Sequence, residues 1–168
     1  PIEDRGLGKI TFASYLPLLI IISLIALVSL TVTMRGVSTF YVADFVSYFM
    51  IGFFITFGGF KLLDLKGFAE GYSTYDLLAQ KLFSYGYIYP FIELGFGFAM
   101  LAGYFNESLL WTEVLVMGFS GLGVLIKILR REKVHCVCLG TILKIPLTYV
   151  TLSEDFGMAL LGLYLLLK

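Results

Sequence analysis

The sequence predicts an all-α integral membrane protein, a bundle of five spanning helices. Hydrophobic residues make up 59% of the 168 positions and charged residues only 14%, where a soluble domain carries about 25% charge. Mean hydropathy is +0.93. Apolar runs near the roughly 20 residues that cross a bilayer recur five times. Lys and Arg balance Asp and Glu at 12 against 12, so no basic face points to nucleic acid, and the length suits one domain.

The elements follow in chain order. Residues 1–11 read as a stub. The first helix, Phe12 to Thr33, is 22 residues without a charge. It is longer than the roughly 7–15 residues of a signal-peptide core and leads into "SLTVTMRG", which offers no cleavage site, so it is expected to span. The second, Phe45 to Phe60, is bracketed by Asp44 and Lys61, which can snorkel to the interfaces. The next stretch, residues 64–83, is too polar to span. Tyr75, Leu78, Leu82 and Phe83 are spaced along it for one face of a helix, which predicts an amphipathic segment lying on the membrane surface. The third helix runs from about Gly86 to Phe105 and the fourth from Leu109 to Ile126. Only "NES" separates these two apolar runs, so they form an antiparallel hairpin. The fifth runs from Leu147 to Leu167. Small residues in "GFGFAMLAG" (95–103) and "GFSGLG" (118–123) mark where helices approach closely. "YGYIYPF" (85–91) reads as an aromatic interface belt.

Basic residues orient the bundle. With five spans, ten of the twelve Lys and Arg residues fall on the side of the N-terminus and of the loop after the fourth helix, against Arg35 and Lys168 opposite. The positive-inside rule places that side in the cytoplasm.

Ionisable groups inside spans are costly and need a reason. Glu93 in the third helix, Glu154 and Asp155 in the fifth and Lys61 at the end of the second stand at similar depth, near that same side. They are expected either to serve chemistry or to pair as buried ions that fix the bundle. Asp44 and Glu113 lie nearer an interface, where solvation is expected. Thr148, Thr151 and Asp155 give the fifth helix one polar stripe, turned toward the bundle.

"VHCVCLGTILKIP" (134–146) holds both cysteines and the only histidine, just after Arg130, Arg131 and Lys133. Nearby cations favour thiolate. A disulfide between Cys136 and Cys138 is cramped by their spacing, and strained bonds are the oxidising, labile ones. The same soft pair suits Cu(I) or Ag(I), with His135 as a third ligand and buried carboxylates lining the ion's way. The residues leave redox, metal and purely structural readings open.

"FITFGGFKLLDLKGF" (54–68), "YPFIELGFGFAMLAG" (89–103) and "CVCLG" followed by "SEDFGMA" (153–159) resemble the MauE branch of the DoxX-like membrane proteins. The likeness covers residues 43–167 and implies a four-helix core, with residues 12–33 as one additional N-terminal transmembrane helix. It implies a redox-associated protein of the bacterial cytoplasmic (inner) membrane. MauE itself is associated with maturing the disulfide-rich small subunit of methylamine dehydrogenase beside a thioredoxin-like partner. Carried over, Cys136 and Cys138 are the redox pair, exchanging disulfides with such a partner, with Glu93 and Lys61 as core positions; the buried acids Glu93, Glu154 and Asp155 are expected to relay protons for that exchange. Val137 and Leu139 depart from the glycine and phenylalanine–glycine that the pattern has there. A sub-branch carries the extra first helix and often a heavy-metal-associated domain, for which "PIEDRGLGKI" is the expected linker stub.

Overall fold

The computed structural model describes residues 15–35, 39–132, 135–137, 139, 145–146 and 149–168. Among these lie helices α1 (Leu16–Thr33), α2 (Val42–Leu62), α3 (Leu65–Tyr72), α4 (Phe83–Leu101), α5 (Glu107–Leu129) and α6 (Tyr149–Leu166). A two-residue pair, β1 (His135–Cys136) and β2 (Ile145–Pro146), runs antiparallel between α5 and α6, with Cys136 opposite Ile145. Three helices among the described residues, α1, α2 and α5, are long and apolar enough to cross a membrane. The protein is therefore a multi-pass membrane protein. Five such spans were expected. α4 and α6 match α1 in length, at 19 and 18 residues, but carry Glu93, Glu154 and Asp155.

Local chemistry sets the boundaries. Proline stands in the first turn of α1, where its missing N–H costs nothing. Asp64 caps α3 by accepting from the Gly67 N–H at 2.9 Å, and Asn106 caps α5 by accepting from the Leu109 N–H at 2.8 Å. The third predicted helix ends earlier than Phe105 because Gly103 takes a φ of +87° just past α4, a conformation that closes helices and suits glycine.

α2 packs on α1 and α4, and α5 packs on α6. Glycines set these approaches. A Cβ at Gly52 would lie 2.9 Å from Ile25 of α1, and one at Gly97 would lie 2.8 Å from Ile55 of α2. Gly121 faces Phe156 of α6. The expected small-residue contacts exist, and they join α4 to α2 and α5 to α6. Gly95 and Gly118 face open space.

The segment after α2 packs into the bundle through residues the sequence reading did not single out. Of the predicted apolar face, Leu78, Leu82 and Phe83 are exposed and Tyr75 is buried. The chain buries Phe68, Ala69, Tyr72, Tyr75, Asp76 and Ala79 instead. Tyr72 stacks on Tyr89 of α4 with centroids 4.5 Å apart. A Cβ at Gly123 of α5 would come within 2.7 Å of the Tyr75 carbonyl. The segment is thus a wedge between α4 and α5.

Candidate functional site

The wedge roofs a small cavity lined by residues of α2, α3, α4, α5 and α6. Lys61, at the end of α2, donates to both carboxylate oxygens of Glu93 on α4 at 2.5 Å. Both are buried, at 7% and 1% side-chain exposure, so the paired alternative holds for them. The Lys61 ammonium also lies 5.1 Å from the Tyr89 ring centroid and 5.5 Å from that of Phe68, within cation–π range.

A second polar chain crosses the same space. The Tyr72 hydroxyl donates to Asp76 Oδ2 at 2.9 Å and stands 3.3 Å from Ser120 Oγ on α5. Ser120 donates to Asp155 Oδ2 of α6 at 3.2 Å. Asp76 is fully buried, and its other oxygen accepts from the Leu78 and Ala79 N–H groups at 2.9 and 2.8 Å. Burial raises the Asp76 carboxyl above the ordinary carboxylate range, with these hydrogen bonds opposing it. Burial likewise pushes the Tyr72 and Tyr75 phenols well up. One oxygen of Glu154, Oε1, has no hydrogen-bond partner, so Glu154 does not join the Lys61–Glu93 pair. The cavity is about 20 Å³, room for about one water.

The cysteine hairpin sits against this roof. Cys136 is buried at 4% exposure and disulfide-bonded. Cys138, the chain's one other cysteine, lies outside the described residues, as do Thr148 and the side chains of His135 and Thr151. A Cβ at Gly71 of α3 would lie 2.5 Å from Val137 Cγ1, and Val137 is buried in one apolar cluster with Phe68, Tyr72 and Tyr75. The residue between the two cysteines is thereby held by the wedge, whose Tyr75 also lines the cavity with Glu93, Glu154 and Asp155. Among the described residues, no group of three or more His, Cys, Asp or Glu side chains is placed to hold a metal ion.

A family model described as "Methylamine utilisation protein MauE" matches residues 38–168. The chain belongs to the MauE family. No curated protein and no solved structure matches it. The matched region takes in every cavity residue and the cysteine hairpin, and leaves α1 outside the MauE match.

Of the acids singled out in the sequence, Glu93, Glu154 and Asp155 come together in this MauE-family bundle, whereas Glu113 does not behave as expected. It is not solvated near an interface but fully buried, with neither oxygen partnered. Asp44 is exposed. The tyrosines of residues 85–91 were expected at an interface, yet Tyr89 is 2% exposed and lines the cavity. Sequence reasoning missed Tyr72, Tyr75, Asp76 and Ser120. A signal was available: residues 68, 72, 75 and 79 recur at helical spacing.

Proposed function

We propose that this protein exchanges disulfides with a thioredoxin-like dithiol partner through Cys136 and Cys138, within the methylamine-utilisation role that the family description names. The observation that carries the proposal is the disulfide on Cys136, set in a hairpin clamped to a cavity of buried acids. A partner thiolate attacks one sulfur of the pair, the S–S bond breaks, and a mixed disulfide forms. The partner's second thiol then releases itself as a disulfide and leaves the pair as two thiols, so two electrons and two protons change owners. Because Cys136 is buried, the incoming thiolate attacks Cys138 and Cys136 departs as the thiolate; when exchange runs in reverse, Cys136 is the sulfur that resolves the mixed disulfide. Glu154, Asp155 and Tyr75 supply protons to the departing thiolate from beneath. The pair and the N-terminus lie on the cytoplasmic side of a bacterial inner membrane, in a core of four helices with α1 added.

Cysteine variants test this on non-reducing gels. Cys136→Ser should trap a partner on Cys138, because the resolving sulfur is gone. Cys138→Ser should trap far less. A mixed disulfide in neither variant would sink the proposal. Copper bound by the purified wild type and lost in both variants would put a Cu(I)-binding pair in its place, since a two-thiolate site does not survive losing one donor.

A further inference from the structure

Gly157 of α6 is a glycine without a packing contact to explain it. A Cβ at Gly121 would press on Phe156, and one at Gly162, a notch for Glu113 of α5, would overlap that carboxyl. A Cβ at Gly157 meets nothing within 4 Å. The missing side chain leaves space instead. Gly157 lines a groove of about 440 Å³ together with Ile22 of α1, Phe49 and Phe53 of α2, and Glu154 and Leu161 of α6. Small-molecule sites commonly measure about 300–1,000 Å³. The groove is open along its outer rim, where Ser153 and Leu160 are exposed. Its walls α1 and α2 are membrane spans, so the opening meets acyl chains rather than water.

The lining is apolar except for Ser153 and Glu154. The Ser153 hydroxyl is engaged, donating to the Tyr149 carbonyl at 2.7 Å. Glu154 is not matched in this way. Together with Phe53 it lines both the groove and the cavity under the wedge, so its carboxyl stands at the boundary between them. Oε1 of that carboxyl is buried with no hydrogen-bond partner, a costly state for a polar atom beside apolar walls. The groove therefore ends on a group that a ligand's head can satisfy.

The surrounding charges select the kind of head. Lys61, a cation of the adjoining cavity, is held by both oxygens of Glu93, and Asp155 lines the same cavity. An anionic head would face the carboxyls of Glu93, Glu154 and Asp155 and be repelled. A hydroxyl suits Glu154 in either protonation state, because it donates to a carboxylate and accepts from a carboxylic acid.

We propose that the groove between α1, α2 and α6 binds a lipid with a neutral hydroxyl head, its chain along Phe49, Phe53 and Leu161 and its head on Glu154. α1 lies outside the MauE match yet supplies one wall, so the added helix completes the site. Binding is noncovalent and does not depend on the cysteines exchanging disulfides.

The test is photolabelling of the purified protein in nanodiscs with a hexadecanol that carries a diazirine in its chain. Wild type should label saturably, with adducts on Phe49, Phe53 or Leu161. Unlabelled hexadecanol should compete severalfold better than hexadecane or, at pH 8, hexadecanoate. Gly157→Leu fills the groove from a position free of contacts, and should lose the saturable labelling at an unchanged melting midpoint. Glu154→Leu should keep a site for the chain but let hexadecane compete as well as hexadecanol. Hexadecane or hexadecanoate competing equally in the wild type would overturn the proposal and leave ordinary annular lipid. So would saturable labelling that Gly157→Leu leaves intact. Should Glu154→Leu fail to assemble, the wild-type competition and Gly157→Leu still decide.

Discussion

Removing one partner of the Lys61–Glu93 pair should destabilise the protein far more than removing both. The ammonium contacts both carboxylate oxygens at 2.5 Å, and at 7% and 1% exposure neither side chain has water to replace its partner. Breaking a buried pair from one side costs about 3–5 kcal/mol, because the survivor keeps its charge without compensation. Lys61→Met additionally loses the contacts to the Tyr89 and Phe68 rings, worth about 0.5–2 kcal/mol. Glu93→Gln and Lys61→Met are thus each expected to lose about 3–5 kcal/mol, with the lysine change the worse. The double variant should recover most of that, since replacing a buried pair by uncharged groups of similar volume is often neutral or stabilising. Reversible unfolding in mixed micelles, run as a double-mutant cycle, reads the coupling directly. Single variants that each cost under about 1 kcal/mol would refute the reasoning, as that is the scale of a solvent-screened pair. Exchange activity separates structure from chemistry: if Glu93 also serves the thiols, the double variant regains stability but not activity.

The other expectations concern the roof and its orientation. After reduction, a membrane-impermeant maleimide should reach the cysteine hairpin only in permeabilised cells, and labelling of intact cells would reverse the topology. Gly71→Ala should push Val137 off α3, since the new Cβ meets a stiff branched side chain at 2.5 Å. It should cost about 1–3 kcal/mol and speed alkylation of reduced Cys136; an unchanged alkylation rate would show that α3 does not clamp the hairpin. Asp76 makes stability depend on pH. Its carboxyl is raised in the folded state, so its contribution is full below the unfolded value and is lost as pH rises through the folded one. Asp76→Asn should flatten that fall when melting midpoints are compared from acid to neutral pH, and parallel curves for the two proteins would exclude Asp76 as its source.

The greasy half of the fold was legible because burial in lipid has a one-dimensional signature. Uncharged runs such as Phe12 to Thr33 admit one reading, and the observed helices differ from expectation by a few residues at caps such as Asn106 and Gly103. The wedge was not legible in the same way. Residues 64–83 contain two helical faces, and the choice went to the more apolar one, with Leu78 and Leu82. Tertiary structure buried the other, whose polar atoms find partners: Asp76 accepts from Tyr72, Leu78 and Ala79 of the same segment, and the Tyr72 hydroxyl meets Ser120 of α5. Glu113 was misplaced for a related reason. Its nearness to a helix end suggested solvent, but exposure depends on which face it occupies, and Gly162, which makes room for it, is 49 residues away.

The placement of the wedge accounts for the uneven distribution of polar groups. α4 and α5 are consecutive and joined by a short turn, so close packing between them was the simple outcome. Inserting Tyr72, Tyr75 and Asp76 between them holds them apart on the hairpin side. α5 then makes its close glycine contact with α6 at Gly121. This arrangement brings Ser120 to Asp155 and, two turns further along the same register, Glu113 to Gly162. The cavity under the wedge and the isolated acid in the far half therefore have one structural cause. A change that expels the wedge should disturb both sites, while a change in the Gly162 notch should leave the hairpin in place.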